Sequence, residues 1–357
     1  MPKSYTHSNN RVFVRVFPQS KSPLLTQNYE SGEFSTVSTP PTTITILIYI
    51  NNNALAKGIV MKIYCNKSEL YRALNNAIQA VPSRSTSKIL EGVLIETKED
   101  EMIITGTDTF MVVESKLSAK CDGIADFVAP AALFANIIGK LPSEDVMMEY
   151  DSVKRVLSIQ SGRYRSEVIC FDSAEFPKVQ MKEPQKSITL NKESVRKLIR
   201  KTAFSASADE INGILTGVLC EIGDGNFRMV AVDAFRMAIY NEPLEDSIDA
   251  FKVVIPAKQL NKMSIISDEG DETIRMELVD EKAVFSFDGT KVTLNTMNGR
   301  YIDYKRIIKV DSTTEVRIQK DELIRSIDRA SILTQKENNN MIKFDIQDDL
   351  LEISALD

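Results

Sequence analysis

The chain has 357 residues, of which 43% are hydrophobic and 26% charged, and its formal net charge is −6. This length suits two or three domains, and this composition excludes a disordered protein. An acidic chain does not by itself suggest a nucleic-acid partner. The sequence predicts neither a metal site nor a disulfide scaffold, because its cysteines include no CxxC pair: Cys65, Cys121, Cys170 and Cys220.

Residues 1–60 are rich in Ser, Thr, Asn and Pro and show little helical or strand periodicity. Their one apolar run, Ile44 to Ile50, is far shorter than the roughly 20 residues that span a membrane, and no signal peptide is apparent. Patterned sequence begins at Met61. We therefore expect residues 1–60 to be a disordered or mis-assigned N-terminal leader, Met61 to be the natural start, and the protein to have no membrane partner.

From Met61 onward the sequence repeats itself. KILEGVLIE, near Lys88, returns as NGILTGVLCE, near Asn212. In each copy a lysine stands 25 residues before the glycine and an aspartate 16 residues after it. These matched positions are Lys67, Gly92 and Asp108 in the first copy and Lys192, Gly217 and Asp233 in the second. The repeat indicates two tandem units of about 120 residues each.

Each unit opens with a predicted amphipathic helix, capped by Asn66 in the first copy and Asn191 in the second. The expected buried stripes are Leu70, Leu74, Ile78 and Val81, then Val195, Leu198, Ile199 and Ala203. Short strands follow, and then a second helix with Pro130 or Pro256 in its first turn. The order of strand, helix and several strands occurs twice per unit, which predicts an α+β fold.

A third copy starts at VRIQKDELIRSIDRASIL, where Lys320 matches Lys67 and Asp357 takes the aspartate position. It holds one predicted helix and about three strands. The expected domains are therefore residues 61–182, residues 187–310 and residues 314–357, the last as the first half of a truncated third domain. Such a chain is expected to be monomeric or aggregation-prone, because half a domain leaves sheet edges uncovered.

Charge is distributed unevenly along the chain. The predicted helix Lys192–Lys201 has five basic residues and one glutamate, whereas acidic residues collect in turns such as 98–101 and 267–272. Basic helices on one face of the sheets would follow a phosphate backbone without reading sequence. A solvated helix surface is the alternative, and for one helix alone it is the better interpretation. Four predicted helices of one sign favour the nucleic-acid interpretation.

The sequence offers no catalytic site. Its only histidine is His7, in the expected leader, and it has no phosphate-binding or dinucleotide-binding glycine motif. Asp108, Asp233 and Asp357 could be considered as metal ligands, but a residue that repeats with the fold is better explained by a turn. We therefore expect no enzyme activity, no metal and no cofactor.

Three phrases, ILxGVLxE, VAVDAFRMAI and NGRYIDYKRII, resemble the bacterial sliding clamp, the beta subunit of DNA polymerase III, and the likeness runs from Met61 to Asp357. The resemblance implies an α+β DNA clamp fold of tandem domains, each of two β-α-β-β-β units, with helices on the inner face and antiparallel sheets outside. It implies a cytoplasmic processivity factor: a head-to-tail homodimer, when full length, that encircles double-stranded DNA and is not an enzyme. A clamp-like scaffold that binds peptides but cannot encircle DNA is the alternative.

The resemblance and the charge pattern together give the expected DNA contacts: Arg84, Arg163, Arg165, Lys192, Arg196, Lys197, Arg200, Lys258 and Lys262. Other DNA-contact positions of the family do not match. A basic residue is replaced by Ala132, a glutamine by Asp209, and a tyrosine pair by Gly213 and Ile214.

The resemblance also implies an apolar groove for short peptides of the DNA polymerase III catalytic subunit, the clamp loader and repair proteins. Its matching positions are Leu215, Val232, Ala234, Phe235, Arg236, Met237, Arg306 and Ile307. Aliphatic walls with arginines at the rim suit a peptide with Leu or Phe anchors. Ile302 stands where the family often has proline, and core packing is an alternative role, for Leu215 and Ile307 above all.

Overall fold

The computed structural model describes residues 60–178, 182–244, 250–266, 272–308, 315–334, 341–347 and 350–355, with four short strands before residue 60. Contacts divide the chain into two units, Met1–Tyr301 and Ile302–Asp357. The four early strands are β1 (Phe13–Arg15), β2 (Thr26–Gln27), β3 (Phe34–Ser35) and β4 (Leu47–Tyr49). They pair as β1 with β4 and β2 with β3, within the expected leader of residues 1–60. The rest of that leader, His7 included, lies outside the described residues.

Residues 60–169 form two successive β-α-β-β-β units, which we call domain 1. The first unit contains β5 (Val60–Asn66), α1 (Lys67–Ile78), β6 (Gly92–Thr97), β7 (Glu101–Thr107) and β8 (Met111–Cys121). The second contains β9 (Asp126–Pro130), α2 (Ala131–Gly139), β10 (Asp145–Asp151), β11 (Val156–Ser161) and β12 (Tyr164–Ile169).

Residues 186–295 repeat this order as domain 2. Its first half contains β13 (Lys186–Asn191), α3 (Lys192–Thr202), β14 (Gly217–Gly223), β15 (Asn226–Val232) and β16 (Met237–Pro243). Its second half contains β17 (Phe251–Pro256), α4 (Ala257–Ser264), β18 (Thr273–Val279), β19 (Lys282–Phe287) and β20 (Thr290–Asn295). Domains 1 and 2 confirm the predicted tandem units.

One antiparallel sheet runs through both domains. Its strand order is β12-β11-β10-β5-β8-β20-β19-β18-β13, and β7, β6 and β9 branch from β8. The start of β8 pairs with β7 on one side and β20 on the other, while its last residues pair with β5. Domain 2 has a second sheet, β16-β15-β14-β17. The strand β8 therefore joins the two domains edge to edge.

The predicted capping and packing of the first helices are confirmed. The Asn66 carboxamide accepts from the N–H groups of Ser68 and Glu69, and Asn191 accepts from that of Ser194. Leu70 and Leu74 are fully buried, and Ile78 and Val81 are half-buried against the domain 1 core. The whole predicted stripe of α3 is buried in the domain 2 core: Val195, Leu198, Ile199 and Ala203.

Pro130 and Pro256 occupy the position just before α2 and α4, not the first turn that the sequence predicted. Their ψ angles of 112° and 128° are extended, because each proline also ends the strand before its helix. Asp288 and Gly289 form the turn between β19 and β20, with φ values of 42° and 67°. Such angles are those of a tight hairpin connection.

The second unit contains α5 (Lys320–Thr334), β21 (Ile342–Ile346) and β22 (Leu351–Ala355), the last two paired with each other. Residues 315–319, directly before α5, form no strand. In domains 1 and 2 the matching strands β5 and β13 pair with β10 and β18 of the second half-domain. The described part of this unit contains no counterpart of β10 or β18, so a strand here would lack its partner.

Candidate functional site

The cations of α3 surround the buried stripe of that helix. Arg200 and Lys201 in its last turn are exposed, whereas Lys192, Arg196 and Lys197 are half-buried. The Arg196 guanidinium donates to the carbonyl of Ile266 at 3.3 Å. The predicted cluster therefore exists on one helix, but its members differ in how accessible they are to a ligand.

Three cations predicted to contact DNA lie beside carboxylates: Lys197, Lys262 and, at the longer distance of 3.9 Å from Glu193, Arg200. Lys197 lies 2.9 Å from Glu242 on β16, and hydrogen bonds with Tyr240 and Glu242 raise the pKa of Lys197. Lys262 on α4 lies 3.1 Å from Asp108, which directly follows β7 of domain 1. Phosphate binding by either lysine has to compete with these ion pairs.

The other predicted cations are more accessible. Lys258 is exposed in the first turn of α4, and Arg163 and Arg165 are exposed where β11 turns into β12. The described residues include no ion-pair partner for these three side chains. Arg84 is exposed in the segment before β6, near Glu91. The N–H of Ser85 and the ammonium of Lys88 lower the pKa of Glu91, and Arg84 adds to that effect.

The repeated aspartates form turns, as predicted. One carboxylate oxygen of Asp108 accepts from the N–H groups of Phe110 and Met111, at 3.1 and 2.8 Å. Asp233 accepts in the same way from Phe235 and Arg236, at 2.8 and 2.9 Å. Asp357, the third member, lies outside the described residues. Within the described part of the chain no group of His, Cys, Asp and Glu side chains could hold a metal.

The turn after β15 carries the most exposed part of the predicted peptide surface. Phe235 is 97% exposed and Ala234 is exposed beside it. Arg236 is held by Asp233, whose carboxylate lies 2.9 Å from its Nε. The N–H of Phe235, followed by Arg236, lowers the pKa of Asp233, so this carboxylate stays charged. An exposed phenylalanine beside a fixed arginine offers one apolar and one polar contact.

Other members of the predicted set lie deeper or elsewhere. Val232 is buried in domain 2, and Leu215 and Met237 are half-buried. Arg306 and Ile307 belong to the second unit, where Arg306 lies 2.8 Å from Asp303 and Ile307 is 54% exposed. Because Ile307 is exposed, core packing does not explain its role. Because Val232 is buried, little of its side chain is accessible to a ligand.

Phe204 is a candidate that our sequence reasoning missed. It lies just after α3, is 58% exposed, and has the Arg236 guanidinium carbon 5.6 Å from its ring centre. A signal was present, because the first repeat has Gln79 at the matching position, thirteen residues before the repeated glycine. An aromatic residue that appears in one copy only indicates a role outside the common fold.

Comparisons with known proteins identify relatives over most of the chain. Sequence models described as the N-terminal and central domains of the DNA polymerase III beta subunit match residues 61–180 and 189–303. The beta sliding clamp of Staphylococcus epidermidis is 27% identical over 304 residues, which are 83% of this chain and 80% of that protein.

Two solved structures share the fold. A DNA polymerase III beta subunit from Eubacterium rectale is 31% identical with a TM-score of 0.77. The DNA polymerase sliding clamp of Bacillus subtilis is 28% identical with the same TM-score, and the match covers 82% of this chain and 80% of the other chain in both cases. These neighbours confirm the predicted α+β clamp fold. No helix among the described residues is long and apolar enough to cross a membrane.

Proposed function

The chain belongs to the family of the bacterial DNA polymerase III beta subunit, the sliding clamp, and from this we propose that it encircles duplex DNA and tethers the polymerase to it. The contacts are sequence-independent, to phosphates, and the ring is a head-to-tail assembly of subunits. The protein is a non-catalytic, cytoplasmic accessory subunit, and residues 314–357 belong to a third domain of the same design. Its proposed partners are double-stranded DNA, the polymerase catalytic subunit and the clamp loader.

The observation that carries this proposal is the continuous sheet through β8 and β20. Two domains of the same design, joined edge to edge, make a wall that repeats along the chain. Each domain packs its helices on its sheets, and the cations of α3 and α4 are the expected phosphate contacts. Lys258, Arg200 and Lys201 are exposed, which supports them as contacts more than the ion-paired Lys197 and Lys262.

Peptide binding forms the second part of the proposal. Phe235 and Ala234 offer an exposed apolar surface, Leu215 and Met237 add half-buried walls, and Arg236 stands at the rim. Apolar contact with a fixed polar neighbour is the pattern of a specific peptide site.

Retention on circular DNA tests encirclement directly. The 357-residue chain is loaded with a bacterial clamp loader and ATP onto a nicked plasmid, and the DNA fraction is isolated by gel filtration. Encirclement predicts that the chain remains with the circle and is released when a restriction enzyme linearises it, because a ring slides off free ends, whereas the monomer expected from half a third domain would not be retained. A matched pair of variants tests the contacts: Lys258→Ala should reduce the slope of binding against salt by about 1, and Lys197→Ala should change it less.

Equal retention on circular and linear plasmid would contradict encirclement, since it would indicate binding by contacts alone. Loss of all retention, with peptide binding preserved, would favour the scaffold alternative.

A further inference from the structure

Arg236 is held in place on two sides. Its Nε lies 2.9 Å from Asp233, and its guanidinium carbon lies 5.6 Å from the centre of the Phe204 ring. An aromatic face within about 6 Å attracts a guanidinium, and the stacked geometry fixes its plane. The two terminal nitrogens have no hydrogen-bond partner among the described residues. The arginine therefore presents a pre-oriented pair of donors.

The first repeat shows that the turn itself does not need this arginine. Asp108 accepts the same two backbone N–H groups as Asp233, yet the residue three positions after it is Met111, which is fully buried. The position of Phe204 is taken by Gln79, whose side chain bonds the carbonyl of Asn75 in its own helix. Both members of the pair are thus absent from the first copy, although the surrounding fold is the same.

We propose that Phe204 and Arg236 form a subsite for the carboxylate of an acidic side chain that directly follows an apolar anchor in the bound peptide. This inference rests on the peptide binding proposed above and adds the class of peptide that the surface prefers. Arg236 binds the carboxylate, and Phe204 is a positioning residue that acts through Arg236. Phe235, 97% exposed and adjacent in sequence to Arg236, takes the anchor.

The Arg236 guanidinium and the carboxylate of an acidic side chain are complementary in charge and in hydrogen-bond geometry. A guanidinium presents parallel N–H donors that fit the two oxygens of a carboxylate, which gives geometric specificity beyond charge. Asp233 engages Nε alone, and its other oxygen already accepts two backbone N–H groups. The charges of Asp233 and Arg236 cancel at long range. Recognition of the peptide carboxylate therefore depends on the fixed geometry of the Arg236 donors. Loss of the Phe204 ring should weaken this recognition.

Two peptides that differ in one isosteric residue test the subsite. Both are fluorescein-labelled and amidated, with the sequences Gly-Ser-Leu-Ala-Leu-Phe-Asp and Gly-Ser-Leu-Ala-Leu-Phe-Asn, and binding to the full chain is measured by fluorescence anisotropy. We expect the aspartate peptide to bind about fivefold more tightly than the asparagine peptide. Phe204→Leu should bring this ratio close to one while changing the affinity for the asparagine peptide less than about twofold. Arg236→Lys should also lower the ratio, because an ammonium lacks the fork.

Phe110→Leu is the control, because Phe110 is 62% exposed in the matching turn of domain 1, where no arginine is present. The ratio should remain at its wild-type value in this variant. Equal affinity of the wild-type chain for both peptides, or an unchanged ratio in Phe204→Leu, overturns the subsite while the proposed peptide surface stands. If neither peptide binds, the subsite and the peptide surface both fail, and retention on circular DNA still decides the clamp function separately.

Discussion

Asp108 and Asp233 each form a turn with one carboxylate oxygen and hold a cation with the other. In domain 1 that cation is Lys262, which comes from α4 of domain 2. In domain 2 it is Arg236, which comes from the turn itself and remains exposed. The same local geometry therefore serves a contact between domains in one copy and holds an exposed arginine in the other. A carboxylate can do both at once, because one oxygen accepts the backbone N–H groups of the turn while the other binds the cation.

The cysteine thiols should be unreactive in the folded chain. Burial raises the pKa of Cys65, Cys170 and Cys220 to about 12 and that of Cys121 to about 11. The thiolate is the nucleophile, so these pKa values lower the reactive fraction at a given pH about a thousandfold for Cys65, Cys170 and Cys220 and about a hundredfold for Cys121. At about pH 8 we expect little reaction with a chromogenic disulfide reagent in the native chain and full reaction of all four thiols in denaturant. A rapidly reacting thiol in the native chain would contradict this.

The helices and most strands could be predicted from the sequence because their signals are local. Asn66 and Asn191 mark the starts of α1 and α3, and apolar spacing marks their buried sides. Contacts between residues that are distant in sequence could not be predicted in this way. The ion pair between Lys262 and Asp108 joins residues 154 positions apart, and nothing local distinguishes Lys262 from a lysine that faces solvent.

The same limit explains the candidate site. The exposed Phe235 and its arginine could be predicted from motif resemblance, but Phe204 contacts Arg236 only after the chain has folded.

The close approach of β7 to α1 is possible only because Gly106 has no side chain. A Cβ at Gly106 would overlap the carbonyl oxygen of Ala77, a backbone atom within α1 that cannot move aside cheaply. We expect Gly106→Ala to lower the free energy of unfolding by about 2 kcal/mol or more, measured by urea denaturation. Gly123→Ala is the control, since its nearest neighbour, in Met61, is 3.7 Å away, and its effect should be small. Equal stability of the two variants would show that β7 and α1 can separate without cost.

Domains 1 and 2 are connected by reciprocal ion pairs as well as by the shared sheet. Arg72 on α1 lies 2.9 Å from Asp288 of domain 2, and Lys262 on α4 lies 3.1 Å from Asp108 of domain 1. Beside them Ser115 and Thr290 share a buried hydrogen bond of 3.0 Å, and Asn76 reaches the same threonine. Each domain therefore supplies a helix cation to a turn carboxylate of the other.

A double-mutant cycle can measure this connection. The side chains of Arg72 and Asp288 are 22% and 26% exposed, so Arg72→Met and Asp288→Asn should show a coupling energy of about 0.5–1 kcal/mol. The coupling should decrease when salt rises from about 0.1 M to about 1 M. The pair of Lys88 and Glu91, whose side chains are 76% and 30% exposed and lie within one segment, is the control and should show a smaller coupling energy. Additive effects of the Arg72 and Asp288 changes would mean that this pair does not stabilise the joint.

The pairing of β8 with β20 also has a consequence for biosynthesis. Ser115 and Thr290, which meet across these strands, are separated by 175 residues of chain. At a translation rate of about 5–20 residues per second, roughly ten to thirty seconds pass between the emergence of the two strands from the ribosome. During that interval the nascent domain 1 has an open strand edge that other nascent chains can reach. Slower elongation between codons 122 and 289 should therefore increase the demand for chaperones.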